Sequence, residues 1–326
     1  MHTALVTGAA GCVGSSLVFR LHDRGVQVRT LTRPGSNLAV LEGIPVEPFT
    51  GDICDEDVLH AAVRGCDAVF HTAAVVTFAR KAREEQIRVN VHGTRAVVRA
   101  CIECGAGSLV HTSSVTTIGT PPPGSEADET LAADRSQARG YKLSKILAED
   151  EIQEGVRQGL RAVIVNPSVI IGERDTHFHA GQLIRDIRRG RIPFYVRGGM
   201  NIVYAGDVAE GMIAAAERGR AGERYILAGE NMTHREIFRR TASLVGGFPP
   251  FARFPLPLLR AVGGIVEEVS ALIGLEPPLT RDLAAIAGRY HSFSVAKARR
   301  ELGFTATPFD ETIMAAYRWY ADHGYL

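Results

Sequence analysis

Three evenly spaced glycines near the N-terminus constrain the fold of this chain more than any other feature. Gly8, Gly11 and Gly14 follow the short apolar run Ala4–Val6, and the residues after them repeat apolar side chains at helical intervals. A glycine-rich turn between a strand and a helix lets a diphosphate approach the backbone, where free N–H groups and the helix dipole bind it. The G-x-x-G-x-x-G spacing differs from the G-x-G-x-x-G of the best-known dinucleotide turn. Its position predicts a dinucleotide site, with a turn that binds no ligand as the alternative.

Apolar runs of strand length alternate with stretches of helical length through the first half of the chain. We predict strands at Ala4–Val6, Val26–Leu31, Val46–Phe49, Ala68–His71, Leu109–Thr112 and Ala162–Val165, and helices over Glu84–Cys104 and Tyr141–Gln158. This alternation predicts parallel βαβ units and therefore an α/β fold with a Rossmann-type, doubly wound parallel sheet. The pattern loosens after Pro167. We predict a dinucleotide-binding Rossmann domain over residues 1–167 and a smaller C-terminal substrate-binding region over 168–326, which shares the sheet edge.

Charge and cysteine content exclude several classes of protein. The 326 residues include 37 Lys and Arg against 36 Asp and Glu, so bulk charge does not favour nucleic acid. We expect no signal peptide and no transmembrane segment, because no basic leader and no apolar run of about 20 residues occurs. The five scattered cysteines favour a reducing, cytoplasmic location. We predict no metal site, and interpret the Cys-x-x-Cys at 101–104 as packing and the His-x-His at 177–179 as a loop.

The residues after the second predicted strand distinguish between two nicotinamide cofactors. In a Rossmann fold an acid at this place binds the ribose 2′-hydroxyl, whereas an arginine accommodates a 2′-phosphate. The sequence here has Arg33, with Ser36 nearby and no acid. We therefore predict NADP(H) as the preferred cofactor, with NAD(H) as the alternative.

A serine, a tyrosine and a lysine form a candidate proton-transfer set. Tyr141 and Lys145 are four residues apart and share one face of a predicted helix. Ser114 follows the fifth predicted strand, at the edge where parallel sheets bind ligands. An ammonium one turn away is expected to lower the pKa of the phenol from about 10. Ser114 could then polarise a carbonyl while Tyr141 supplies the proton that accompanies hydride transfer.

Together these motifs resemble the extended short-chain dehydrogenase/reductases of the NAD-dependent epimerase/dehydratase family, in its dihydroflavonol-reductase-like and hopanoid-associated epimerase-like branches. Further matching segments are Gly51-Asp52, Val89–Thr94, His111–Ser114, Asn166–Ser168, Gly172 and Asp207–Ala209. The resemblance implies an enzyme with Ser114, Tyr141 and Lys145 as the catalytic set, and a homodimer built by pairing helices that include Glu84–Cys104 and Tyr141–Gln158. With the residues argued above, the predicted cofactor-binding set is Thr7, Gly8, Gly11, Cys12, Val13, Gly14, Arg33, Ser36, Asp52, Ile53, Thr72, Ala73, Ala74, Asn90, Thr112, Ser113, Tyr141, Lys145, Asn166, Pro167, Ser168 and Val169.

Departures from the sugar-nucleotide pattern of this family bear on the substrate. Those enzymes usually carry an arginine shortly before the Asp207-type motif, where this chain has Met200 and the nearest basic residue is Arg197. Val115 and Thr116 stand where dehydratases have an Asp-Glu pair. The apolar stretch Leu256–Leu275 is consistent with a hydrophobic substrate pocket, with peripheral contact to a membrane surface, or with an ordinary core helix.

We therefore predict an NADP(H)-dependent oxidoreductase that interconverts a ketone and a secondary alcohol on a hydrophobic small-molecule substrate. Two alternatives remain open. The first is an NAD-dependent sugar or nucleotide-sugar epimerase that retains its cofactor. The second is a non-catalytic protein that senses a nucleotide.

Overall fold

The computed structural model describes residues 1–77, 79–122, 124–176, 181–272, 284 and 286–326. The strands are β1 (Thr3–Thr7), β2 (Gln27–Thr32), β3 (Glu47–Thr50), β4 (Ala68–His71), β5 (Leu109–Thr112), β6 (Ala162–Pro167), β7 (Val169–Ile171), β8 (Phe194–Tyr195), β9 (Gly199–Tyr204), β10 (Arg224–Leu227), β11 (Glu230–Thr233) and β12 (Ala252–Arg253). The α-helices are α1 (Cys12–His22), α2 (Glu56–Val63), α3 (Arg83–Gln86), α4 (Gly93–Cys104), α5 (Gly140–Arg157), α6 (Gly181–Arg188), α7 (Ala205–Arg218), α8 (His234–Val245), α9 (Leu256–Leu272), α10 (Ala296–Leu302) and α11 (Phe309–Asp322).

Seven parallel strands form the central sheet in the order β10-β6-β5-β4-β1-β2-β3. The predicted Rossmann-type sheet is therefore confirmed. Chain order reverses between β1 and β4, and ligands of such sheets bind at this point, outside the carboxyl ends of the strands. Six of the strands precede residue 168, and the edge strand β10 comes from the second half of the chain.

Burial on both faces explains why the central strands are apolar throughout. Every residue of β4, β5 and β6 is buried, as expected for a parallel sheet covered by helices on each side. Successive side chains alternate between the two faces. Ala4 and Val6 join the core beneath α1 and α7, whereas Leu5 joins the core beneath α2, α4 and α5.

The predicted helix Glu84–Cys104 is interrupted. A π-helical segment, Ile87–His92, separates α3 from α4. Such wider turns frequently mark functional sites, and this one contains Asn90, which the sequence assigns to the cofactor site. The predicted helix Tyr141–Gln158 is present as α5.

The second half of the chain builds a smaller layer beside the carboxyl edge of the sheet. It contains a three-stranded sheet in the order β11-β9-β7 and the pair β12-β8. A separate apolar core joins β9 to α6, α8 and α11. Residues 273–275 of the apolar stretch Leu256–Leu275, and residues 177–179 with the His-x-His pattern, lie outside the described residues. None of the helices that the structure describes is both long and apolar enough to cross a membrane.

Candidate active site

Each glycine of the N-terminal turn meets a different steric demand. Gly8 has a left-handed backbone (φ +70°), and a Cβ there would lie 2.7 Å from the backbone nitrogen of Ala73. A Cβ on Gly14 would lie 2.3 Å from the Gly8 carbonyl oxygen, so this glycine allows close packing of α1 on the turn. Among the described residues, a Cβ on Gly11 would meet only the Gly8 oxygen, at 3.4 Å. The backbone at Gly11 and the N-terminus of α1 therefore provide a cradle that fits a dinucleotide diphosphate.

Hydrogen bonds tie this turn to the end of β4. Thr72 Oγ1 donates to the Thr7 carbonyl oxygen at 2.6 Å, and the Ala73 backbone N–H donates to Thr7 Oγ1 at 3.3 Å. These bonds bring the predicted segment Thr72–Ala74 beside the glycine turn, at the point where the strand order reverses.

His71 is a buried neutral bridge beneath the site. Its Nδ1 lies 2.8 Å from Thr7 Oγ1 and its Nε2 lies 3.0 Å from Thr94 Oγ1. Because Thr94 Oγ1 already donates to the Asn90 carbonyl oxygen at 2.6 Å, it must accept from the ring, which assigns the Nε2–H tautomer. Burial, and next the charge of Lys145, lower the pKa of His71 to about 3.

Asn90 joins the loop after β4 to α5. Its side-chain oxygen accepts from the Val75 N–H at 2.7 Å, and its amide donates to the Val75 carbonyl oxygen at 3.1 Å. The same amide donates to Ser144 Oγ at 2.9 Å. Asn90 therefore fixes the loop against the helix that carries Tyr141 and Lys145.

Arg33 lies on the surface directly after β2. Ser36 N–H donates to the Arg33 carbonyl oxygen at 3.1 Å, closing a turn in which Gly35 has φ +77°. Within the described part of the chain the exposed Arg33 guanidinium makes no hydrogen bond or ion pair, so it is available to a ligand at this end of the sheet.

Asp52 and Ile53 follow β3 but differ in what they contact. The Asp52 carboxylate pairs with Arg88 Nη1 at 2.9 Å and accepts from the Cys54 N–H at 2.9 Å. The hydrogen bond from Arg88 holds the pKa of Asp52 below its usual value. The Ile53 side chain packs on Gly93, its Cγ2 only 2.7 Å from where a Cβ would stand.

The two serines after β5 point to different surroundings. Ser113 Oγ is buried and donates to the carboxylate of Glu149. Ser114 Oγ accepts from the Thr116 N–H at 3.2 Å and forms a hydrogen bond with the phenol of Tyr141. The structure therefore brings Ser114 and Tyr141 together and turns Ser113 toward the interior.

The net shift of the Tyr141 pKa is opposite to the expected one. Burial raises the pKa of Tyr141 to about 12, against a smaller lowering by the Ser114 hydrogen bond. Lys145 does not offset this rise in the Tyr141 pKa. Its Nζ donates instead to the Thr112 carbonyl oxygen at 2.8 Å. Burial lowers the pKa of Lys145 to about 8, and the charge of Glu149 opposes that shift. Tyr141 is thus protonated at neutral pH, as a proton donor must be.

Other predicted cofactor residues serve the scaffold in this structure. Asn166 Nδ2 donates toward Glu149 Oε1 at 2.9 Å and the Ser114 carbonyl oxygen at 3.2 Å. Cys12 Sγ donates to the Glu173 carbonyl oxygen at 3.4 Å, and burial raises the pKa of its thiol. The backbone N–H of Ser168 donates to the Leu227 carbonyl oxygen at 3.1 Å, between the end of β6 at Pro167 and the start of β7 at the exposed Val169. Val13, on the first turn of α1, packs against the core.

Glu149 is the main residue that the sequence reasoning missed. It is 2% exposed and lies on the same face of α5 as Tyr141 and Lys145, eight and four residues after them. The available signal was this spacing, because an acid at the third position of an i, i+4, i+8 series that begins with two functional residues shares their buried face.

Residues 4–228 match the NAD dependent epimerase/dehydratase family. This chain belongs to that family. A protein of Synechocystis sp. named as a dihydroflavonol 4-reductase is 35% identical over 98% of this chain and 95% of its own length. Sterol demethylase protein B of Methylococcus capsulatus is 32% identical over 99% of this chain and all of its own length.

Two crystal structures resemble the whole chain. That of gox2253 has a TM-score of 0.89 and 38% identity, covering 100% of this chain and 99% of that one. A nucleoside-diphosphate-sugar epimerase from Pseudomonas aeruginosa has a TM-score of 0.83 and 28% identity, over the same shares of the two chains. With family membership, these likenesses identify the chain as an NAD(P)-dependent oxidoreductase of the extended short-chain dehydrogenase/reductase type, and a nicotinamide dinucleotide as the cofactor class.

Proposed function

We propose that this enzyme is an NADP(H)-dependent oxidoreductase that interconverts a ketone and a secondary alcohol on a hydrophobic substrate. The observation that carries the proposal is the hydrogen bond between Ser114 and Tyr141, with Lys145 one helical turn further along α5. This group lies at the carboxyl end of β5, the edge at which the glycine turn also opens.

The residues of the site divide the work of carbonyl reduction. The nicotinamide, when bound, supplies the hydride to the carbonyl carbon. Ser114 and Tyr141 hold the carbonyl oxygen, and Tyr141 transfers its phenolic proton to that oxygen, which becomes the hydroxyl. The Lys145 ammonium stabilises the phenolate that this transfer leaves on Tyr141, and in the alcohol-oxidising direction the proton returns to it.

The preference for NADP(H) rests on Arg33. Arg33 follows β2, where this fold places the adenosine ribose, and its guanidinium has no hydrogen bond or ion pair among the residues that the structure describes. Arginine binds phosphate oxygens through a planar fork of donors. We propose that Arg33 and the Ser36 hydroxyl bind the 2′-phosphate.

The proposal of a hydrophobic substrate is based on the region after residue 167. We propose that this region forms the substrate-binding part of the protein. Met200 lies on β9 where sugar-nucleotide relatives usually have an arginine, and Arg197 is exposed two residues before that strand. The names of the Synechocystis and Methylococcus relatives refer to multi-ring hydrophobic compounds. We propose a substrate of that class.

The second candidate is an NAD-dependent nucleotide-sugar epimerase. The likeness to the Pseudomonas aeruginosa epimerase over the whole chain favours it. An epimerase removes and returns the hydride at one carbon, so it shows no net redox change and retains its cofactor. A nucleotide-sensing protein without catalysis would need neither the Ser114–Tyr141 pair nor Lys145.

One experiment separates these candidates. The freshly purified protein is denatured and any released dinucleotide identified, and the apo protein is then titrated with NADPH and NADH. NADPH oxidation is followed with bicyclic and aromatic ketones, and interconversion of UDP-glucose and UDP-galactose is followed separately. Exchangeable NADPH binding with ketone turnover supports the reductase. Retained NAD with sugar interconversion would replace it by the epimerase, and nucleotide binding with neither reaction would favour the sensor.

We also propose a cytoplasmic homodimer that makes peripheral contact with lipid. The five free cysteines agree with a reducing compartment. Leu258, Val262, Ile265 and Val269 form an exposed apolar stripe at three- and four-residue spacing on α9. Light scattering should give a mass of about twice the 35.2 kDa of the chain. Ile265→Ser should lower the fraction of protein that sediments with phosphatidylglycerol vesicles. A monomer, or vesicle binding unaffected by that substitution, would refute the respective proposal.

A further inference from the structure

A buried carboxylate lies directly behind the Ser114–Tyr141–Lys145 group. Glu149 is 2% exposed and follows Lys145 by one turn of α5. A buried carboxylate is costly unless it is paired and hydrogen-bonded. Its surroundings therefore show what it stabilises.

Three donors converge on one carboxylate oxygen. Glu149 Oε1 accepts from Ser113 Oγ, lies 2.7 Å from Thr117 Oγ1 and lies 2.9 Å from Asn166 Nδ2. These donors belong to three separate segments, the end of β5, the turn after it and β6. Glu149 therefore fastens α5 to the loop that carries Ser114.

Two of these donors also hold the backbone of Ser114. Its carbonyl oxygen lies 2.9 Å from Thr117 Oγ1 and 3.2 Å from Asn166 Nδ2. Thr117 has one hydroxyl proton for two acceptors, whereas the Asn166 amide has two. The network can thus shift its hydrogens without losing its hold on Ser114.

An arginine from the neighbouring edge strand pairs with the second oxygen. Arg224 Nη2, on β10, lies 2.7 Å from Glu149 Oε2. Within the described part of the chain this oxygen makes no hydrogen bond of ordinary geometry, so the contact with Arg224 is an ion pair. Here Asn166 supplies a neutral donor and the guanidinium comes from β10.

Few charges face Lys145. His71 on β4 and His111 on β5 lie on its side of the sheet, and burial followed by the charge of Lys145 lowers the pKa of both, so they are neutral. Tyr141 is protonated. Among the described residues, the carboxylate of Glu149, itself paired with Arg224, remains as the charge that favours the protonated ammonium.

We propose that Glu149, held by Arg224, is a positioning residue that fixes the Ser114 loop and keeps Lys145 charged. This inference rests on the proposed function only for its kinetic consequence. Its electrostatic part concerns the free protein and can be measured without any substrate.

The direct test is the titration of Lys145 in protein labelled with 13C at lysine Cε, with the signal assigned by Lys145→Arg. In Glu149→Gln the midpoint should fall by about one pH unit, because a nearby carboxylate favours the ammonium. The matched control is Glu151→Gln, on the same helix, whose partner Arg95 lies outside the site. An unchanged Lys145 midpoint in Glu149→Gln, or an equal fall in the control, would overturn the proposal.

Arg224 gives an independent variant if Glu149→Gln does not fold. Arg224→Gln removes the cation paired with Glu149, so more of the carboxylate's charge acts on Lys145 and the Lys145 midpoint should rise. Arg224→Lys should restore most of the wild-type midpoint. An Arg224→Gln midpoint equal to wild type would overturn the role of Arg224.

Turnover gives the kinetic readout. A midpoint lowered by one pH unit reduces the charged fraction of Lys145 about tenfold above both midpoints. Glu149→Gln should then approach wild-type kcat/KM at pH 6 and fall about tenfold below it at pH 9. A loss that is equal at every pH would show a purely structural role and overturn the electrostatic one. Ketone turnover that is absent in the wild type, together with a shifted midpoint, would refute the proposed reaction and leave this inference standing.

Discussion

Replacing Arg33 by aspartate should reverse the cofactor preference. The wild-type guanidinium is exposed and makes no hydrogen bond or ion pair within the described residues, so the substitution removes only its longer-range attraction to Glu85. At about 4 Å in high dielectric, each pair of unit charges contributes about 1 kcal/mol, and a 2′-phosphate carries about 1.5 to 2 negative charges. Losing the attraction and adding a repulsion should therefore weaken NADPH binding by about 3 to 4 kcal/mol, a factor of about 100 to 1,000.

NADH lacks the 2′-phosphate and should be bound nearly as before, or more tightly if the new carboxylate accepts from the ribose 2′-hydroxyl. Calorimetric titration of both nucleotides gives the ratio directly. Part of the loss for NADPH should disappear at high ionic strength, because exposed charges are screened. The control is Arg64→Asp, an exposed arginine after α2 whose carbonyl oxygen accepts from Arg29, near the start of β2 and not at its end. An NADPH/NADH ratio unchanged by Arg33→Asp, or changed equally by Arg64→Asp, would refute the assignment of the 2′-phosphate to Arg33.

Three further outcomes are expected from the site. Tyr141→Phe should lower kcat by about 100- to 10,000-fold while the NADPH Kd, measured by calorimetry, stays within about twofold, because only the proton donor is removed. Loss of NADPH binding in this variant would instead show that Tyr141 has a structural role. Gly14→Ala should abolish nucleotide binding and lower the melting temperature, since its Cβ would lie 2.3 Å from the Gly8 carbonyl oxygen; an unaltered binding isotherm would contradict this. Ketone reduction should decline as pH rises through about 8, where Lys145 loses its proton; a kcat/KM profile that is flat from pH 6 to 10 would exclude a charged Lys145 from the rate.

The sequence was most informative where a local pattern and the fold demand the same thing. The runs Ala68–His71 and Leu109–Thr112 have the exact bounds of β4 and β5, because strands buried on both faces are apolar throughout. The position of the glycine turn between β1 and α1 was predictable for a similar reason, since backbone approach and helix packing exclude side chains there.

Properties that depend on burial among distant residues could not be predicted. The helix spacing of Tyr141 and Lys145 gave the right proximity but the wrong net direction for the Tyr141 pKa, because spacing does not reveal how deeply the phenol is buried. The pairing of Glu149 with Arg224 joins residues 75 positions apart and follows from the place of β10 beside β6. The π-helical turn within Glu84–Cys104 could not be predicted either, because its spacing of apolar residues does not differ recognisably from that of an α-helix.

The opposite orientation of Ser113 and Ser114 has a consequence for protein engineering. These two identical neighbours follow β5, where successive side chains point to opposite sides of an extended chain. Position 113 should accept only a small residue that can donate to a buried carboxylate. Other substitutions there should lower the yield of folded protein. At position 114, many replacements should leave the yield of folded protein unchanged, but few should retain turnover. Inserting one residue between Thr112 and Ser113 would move Ser113 into the place of Ser114 and leave the buried place to the inserted residue, so loop redesign around this site must preserve length before it alters composition.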